Sequence, residues 1–173
     1  MPLLDPRSHL VGRVLLENLD SLYSTACRLT GRTDLAEDLV QETARKALKG
    51  SPNLENDRNV RGWLFTILVN SVRDHIRRGD GEPGELVQDR ASQRLTLQWA
   101  AAQDVRRALA QLSPARRAVV VLVDIEEFTI AETAAMLELP PGTVASRLAR
   151  AHRELRDRLQ VYRSEAAQGG GQP

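Results

Sequence analysis

The sequence predicts an all-α chain of two small helical domains joined by a flexible acidic linker, and three observations predict it. Aromatic residues make up only 3% of the chain while Leu, Ala and Arg abound, a mix that favours helices over sheets. Apolar residues recur at helical spacing through most of the length. That periodicity stops in "GDGEPGELVQDRASQ", residues 79–93, which holds three glycines, one proline and a net charge of −3, the composition of a linker. At 173 residues and 42% hydrophobic content the chain can build two modest cores. The boundaries read as a first domain over 10–78, a linker over 79–94, a second domain over 95–163 and a disordered tail over 164–173.

The elements follow in order. From about Arg13 to Thr30, Val14, Leu15, Leu19, Leu22, Ala26 and Leu29 keep helical spacing and Gly31 punctuates them; Cys27 reads as a small core residue of this helix. In "DLAEDLVQETARKALKG" Asp34 is placed to cap, with Glu37 three residues on and Gly50 at the end. Ala36, Val40, Thr43 and Ala47 take the inner side of that helix. Asp38, Gln41, Glu42, Arg45 and Lys49 form a polar stripe, either a solvated face or a docking site. "SPNLENDRN" is a loop, with Asn59 a cap for the helix "VRGWLFTILVNSVRDHIRR". Trp63, Leu64, Ile67 and Leu68 supply its buried side. Thr66, Asn70, Arg73 and Arg77 share another side that could track phosphates or splayed bases; Asn70 could equally hold a buried hydrogen bond, and spacing does not separate the two.

Beyond the linker, Leu95 to Leu112 resumes the helical period, and Ser113 with Pro114 opens the next helix. The run "AVVVLVDIEEF" suits a strand by propensity, but the Ser-Pro start and the set Ala118, Leu122 and Ile125 assign it to a helix. Thr129 and Glu132 then make a capping box for a short helix on which Ile130, Ala134 and Leu137 share a face. "ELPPG" forces a turn, and a long helix follows whose apolar stripe is Val144, Leu148, Ala151, Leu155 and Leu159. Ser146, Arg150 and Arg153 lie roughly opposite, with Thr143 and Arg147 at the edge. This is the grammar of a helix-turn-helix over about 129–150, which places Thr143 to Arg150 within reach of a major groove. A simple αα-hairpin with a solvated arginine face is the alternative.

Charge and cysteine content bound the function. The net charge is only +1, but residues 61–78 carry +3 and residues 140–163 carry +4, flanking the acidic linker. Two basic segments on a nearly neutral chain point to nucleic acid. Cys27 is the only cysteine, so an intramolecular disulfide or a thiolate cluster is excluded. No eighteen apolar residues run together and the first twenty hold Asp5 and Glu17 without an unbroken apolar stretch, so membrane insertion is not expected and the cytoplasm is. His9, His75 and His152 stand in separate segments without a paired carboxylate and nucleophile, so no catalytic set, metal site or cofactor is expected.

Three segments in this order, "AEDLVQETARKAL", "RGWLFTILVNSVRDHIRR" and "PPGTVASRLARAHRELR", with the acidic linker between the second and third, resemble the extracytoplasmic-function (ECF) sigma factors of bacterial RNA polymerase. The resemblance covers about Leu15 to Leu159. It implies a sigma-2 domain and a sigma-4 domain and a non-enzymatic role in promoter-specific initiation under anti-sigma control. Asp38, Leu39, Val40, Gln41 and Glu42 match the stretch that docks on the clamp of the largest polymerase subunit; the flap of the second-largest subunit is the other implied polymerase contact. Asn59, Arg61, Asn70, Arg73, Arg77 and Arg78 match the part that reads and opens the −10 element. Thr143, Ser146, Arg147, Arg150 and Arg153 match the −35 reader. Ala145 and Ala149 stand where many members carry larger or basic residues, which implies fewer or differently chosen −35 contacts. The implied partners are core polymerase, promoter DNA and an anti-sigma protein that could hold the chain near the membrane. A sigma mimic that only titrates an anti-sigma protein is the competing reading. A plain helix-turn-helix repressor leaves the first two segments unexplained.

Overall fold

The computed structural model describes residues 6–51, 59–78 and 96–169. Among them the regular structure is helical: α1 (Pro6–Glu17), α2 (Leu19–Thr30), α3 (Thr33–Gly50), α4 (Val60–Arg78), α5 (Thr96–Ala110), α6 (Pro114–Val120) running into a π-helical turn (Val121–Ile125), α7 (Ile130–Leu137) and α8 (Pro141–Gly169). The linker and most of the loop before Asn59 lie outside the described residues. No helix in the described residues is long and apolar enough to cross a membrane.

The single helix expected from Arg13 to Thr30 is broken at Asn18, which has φ −112° and ψ 8°. The Asn18 side-chain amide donates to the Val14 carbonyl at 2.7 Å, one of the local side-chain bonds with which asparagine competes with the helix ladder. α2 ends at Gly31, whose φ of 72° is the left-handed conformation that glycine adopts without cost. Its N–H closes on the Cys27 carbonyl at 2.8 Å. Asp34 does not cap α3: Arg32 occupies the N-cap position without a side-chain cap, and Asp34, one residue inside, binds the Arg32 guanidinium instead. Ala36, Leu39, Thr43 and Ala47 form the buried side of α3, so Leu39 replaces Val40 in the inner row.

Asn59 caps α4 as expected, accepting the Gly62 N–H at 2.9 Å. A Cβ on Gly62 would lie 2.6 Å from that same Asn59 oxygen, so the cap and the glycine require each other. α4 is buried along two sides: Leu64 and Leu68, and also Phe65, Val69 and Val72, are inaccessible or nearly so, whereas Trp63 and Ile67 are only partly covered.

In the C-terminal half, Ser113 stands at the N-cap of α6 with Pro114 in the first turn, but its carbonyl rather than its hydroxyl carries the bonds. The β-branched run after it is helical, with a difference: the ladder widens, and Glu126 N–H donates to the Val121 carbonyl at 2.9 Å. The inserted π turn re-aims the residues beyond it, as such turns do. The capping box of α7 forms in full, Thr129 and Glu132 exchanging side-chain and main-chain bonds. Glu138 ends the helix at φ 54°, and α8 starts two residues after Leu139. α8 continues to Gly169, so residues 164–169, expected to belong to a disordered tail, are helical. Past Gly142 no breaker interrupts the chain until Gly169, and an established helix propagates at little cost.

The two halves do not keep separate cores. One cluster joins Leu22, Leu64, Phe65 and Leu68 to Val119, Leu122, Phe128, Leu137 and Val144, while Leu109, Leu112, Val120 and Ala151 form a smaller one. Each fully buried Leu, Val or Phe is worth about 1.5–3 kcal/mol, so the seam between halves holds as an interior does.

Candidate functional site

Three surfaces were expected to carry function, and the fold treats them differently. On α3, Asp38 and Gln41 are exposed. Glu42 is half-buried and receives a two-pronged bond from Arg45, Nε and Nη2 lying 2.8 and 2.7 Å from its oxygens, with Lys46 Nζ at 3.4 Å. Hydrogen bonding to Arg45 is the main reason its carboxyl is held down at about 2. Val40 is half-buried and Leu39 is 6% exposed, so Leu39 supports this face from within the core. The face that remains is a fixed, ionised stripe of Asp38, Gln41 and Glu42 edged by Arg45.

On α4 the basic residues divide. Arg73, Arg77 and Arg78 are exposed, Asn59 is exposed beside its cap, and Asn70 is half-buried. Arg77 pairs with Asp74 at 3.0 Å and Arg73 lies 3.6 Å from Glu138 of the other half. Arg61 is committed elsewhere. Its Nε donates to Asn18 Oδ1 at 3.2 Å and its Nη2 to Glu126 Oε2 at 2.9 Å, and its guanidinium sits 4.8 and 4.3 Å from the ring centroids of Phe65 and Phe128. A cation held between two rings and a carboxylate is well placed energetically and is not facing solvent.

On α8, Ser146, Arg150 and Arg153 are exposed, with His152 and Arg156 beside them, while Thr143 is half-buried. Ser146 Oγ donates to the Thr143 carbonyl at 3.0 Å. Arg147 faces the other way: it lines a cleft of about 760 Å³ between α4 and the C-terminal helices, together with Val69, Asn70, Arg73 and Leu139. A second brace on this half is Arg117, buried at 6% exposure. It donates to the carbonyls of Leu109, Ala110 and Leu112 at the end of α5 and to Leu29 across the seam. Burial lowers its pKa from the usual arginine value.

Sequence reasoning missed Glu126, Arg117 and Phe128 as organising residues. The visible signal was a charge embedded in an apolar run: "RRAVVVLVDIEEF" carries acids where its neighbours are buried, and buried charges are kept only where partners wait for them. No group of three or more His, Cys, Asp or Glu in the described residues could hold a metal ion.

The fold and these surfaces define a two-part helical module whose C-terminal half ends in a capped helix-turn-helix with an arginine-bearing second helix. Residues 15–82 match the family model for sigma-70 region 2, and residues 102–155 match that for sigma-70 region 4. The chain is 40% identical over 131 residues to the ECF RNA polymerase sigma factor SigM of Mycobacterium tuberculosis, covering 74% of this chain and 66% of that protein. It is 32% identical over 158 residues to the ECF RNA polymerase sigma factor EcfG of Rhodopseudomonas palustris, covering 87% of this chain and 86% of that one. Among solved structures, the sigma factor RpoE in complex with the anti-sigma factor NepR from Bartonella quintana superposes with a TM-score of 0.76 at 33% identity, over 87% of this chain and 96% of that one. The chain thus spans just under two thirds of the SigM relative's length. It belongs to the ECF family of RNA polymerase sigma factors.

Proposed function

We propose that this protein binds core RNA polymerase through α3 and promoter DNA through α4 and α8, and thereby directs transcription initiation at a chosen set of promoters. The observation that carries the reading is the pairing of two outward surfaces on one chain, the Asp38, Gln41 and Glu42 stripe and the Ser146, Arg150 and Arg153 face, within halves that match sigma-70 regions 2 and 4. Arg73, Arg77 and Arg78 at the end of α4 supply a basic strip for the opened −10 strand, where electrostatic tracking and base stacking do the holding. Strand separation then needs no bond chemistry from this chain; the polymerase supplies the catalysis. Such a factor works in the cytoplasm with its polymerase. The Bartonella quintana neighbour's complex with NepR supports control of this chain, too, by an anti-sigma protein.

The test is reconstituted transcription with purified core polymerase on genomic promoters of the host. Intact protein should start transcripts at specific positions, and joint charge reversal at Asp38 and Glu42 should abolish initiation and core binding while circular dichroism stays the same. Core binding without initiation at any promoter, together with capture of an anti-sigma protein, would make the chain a decoy and overturn the reading.

A further inference from the structure

Glu126 is the only buried carboxylate among the described residues, at 4% exposure, and its side-chain partners come from the other half of the molecule. Oε1 accepts from Thr25 Oγ1 at 2.6 Å, and Oε2 accepts from Ser21 Oγ at 2.6 Å and from Arg61 at 2.9 Å. Two unusual pieces of backbone deliver it there. The π turn Val121–Ile125 immediately precedes it, and Glu127, immediately after it, sits at φ 59°, a left-handed conformation that costs a non-glycine residue of order 1–2 kcal/mol. Phe128, set by a bond from its N–H to the Leu122 carbonyl at 3.0 Å, is then laid against Phe65 and the Arg61 guanidinium. Strain on both sides of one residue, compensated only by contacts across the seam, marks a built junction.

The junction also decides which functional residues are available. Arg61 is engaged by Glu126, and Arg147 lines the cleft facing α4. The α3 stripe and Arg150 with Arg153 stay in the open. Building on the promoter-binding reading above, we propose that the Glu126 clasp holds the free chain in a closed, self-blocked form. In that form polymerase can dock on α3, but Arg61 and Arg147 reach DNA only after the halves part. Parting returns the carboxylate to water and exposes Phe65 and Phe128, so the closed form is favoured until a partner takes over those surfaces.

Small-angle scattering of the intact chain, paired with binding of a random-sequence DNA duplex, tests this on wild type and on Glu126→Lys, which sets a cation against Arg61. Wild type should be compact. The variant should keep its helix content, gain radius of gyration and bind duplex about tenfold more tightly, the gain expected when a minor binding-competent state becomes the major one. If Glu126→Lys loses helix content, the double variant Ser21→Ala with Thr25→Val decides, since it removes two of the three donors without adding charge. A wild-type chain already expanded, or variants as compact as wild type, would overturn the clasp; expansion with unchanged duplex affinity would overturn the self-blocking. Expansion in a protein that binds neither duplex nor core in any form would establish the clasp and overturn the promoter reading instead.

Discussion

Phe65 of α4 and Phe128, just before α7, meet edge to face with ring centroids 5.0 Å apart and planes inclined at 66°. One ring comes from each half of the chain, and both are buried. The contact therefore reports on whether the halves share an interior in solution.

Phe65→Ala should destabilise the protein by about 3–5 kcal/mol in urea unfolding, the usual cost of emptying a buried ring site. In a double-mutant cycle with Phe128→Ala, the coupling should be about 0.5–1.5 kcal/mol. A coupling near zero would show that the two rings do not meet in the dissolved protein.

On α8, Arg150 and Arg153 are exposed while Arg147 lines the cleft. Arg150→Ala should weaken binding of the free protein to a cognate −35 duplex by about 1–3 kcal/mol, the range for one base-specific arginine contact. Arg147→Ala should cost less in the free protein and approach the same range once core polymerase is present. Footprinting with and without core separates the two, and equal losses in both conditions would contradict the placement of Arg147.

Two surface carboxylates, Asp34 and Glu42, are each lowered to about 2, chiefly by hydrogen bonds from Arg32 and Arg45. A depressed carboxylate contributes stability that is fully present above its ordinary value, here 3.8 for Asp34 and 4.5 for Glu42, and is lost as pH falls towards about 2. Thermal midpoints should be flat from neutrality down to that range and decline below it. Glu42→Gln should flatten part of the decline, and molar salt should shrink its effect because the pair is exposed. An acid limb identical in wild type and Glu42→Gln would refute the assignment.

Arg117 closes the end of α5 through three carbonyls. Arg117→Met keeps most of the buried stem but strands those acceptors, so it should cost about 1.5–3 kcal/mol, the scale of hydrogen bonds to a charged group. Amides near the α5–α6 junction should exchange faster in the variant. Unchanged protection there would mean the carbonyls find water without loss.

The local plan of the molecule was legible in its residues. The capping box of Thr129 and Glu132, the Asn59 cap, the prolines that separate α7 from α8, and the buried stripe through Val144 and Ala151 are short-range facts of spacing and backbone chemistry, and the structure reproduces them. The errors were also local in origin. Asn18 read as a helix interior because its competing bond to Val14 is visible only once the chain turns. Asp34 read as a cap because capping depends on the dihedrals of Arg32 rather than on residue type alone.

By itself, then, the amino-acid order determined an all-helical chain, the polar stripe of α3, the helix-turn-helix and the outward position of Arg150 and Arg153, because a period of 3.6 residues sorts each helix into sides without reference to anything distant. Only the tertiary structure decided what the second side of α4 meets, which is why Phe65 and Val69 are interior and Arg61 is engaged. Glu126 finds Arg61, Thr25 and Ser21 at separations of 65, 101 and 105 residues. No periodicity carries that distance: the burial of its charge is set by which donors the folded chain brings together, and that is a property of packing between the two halves rather than of either helix.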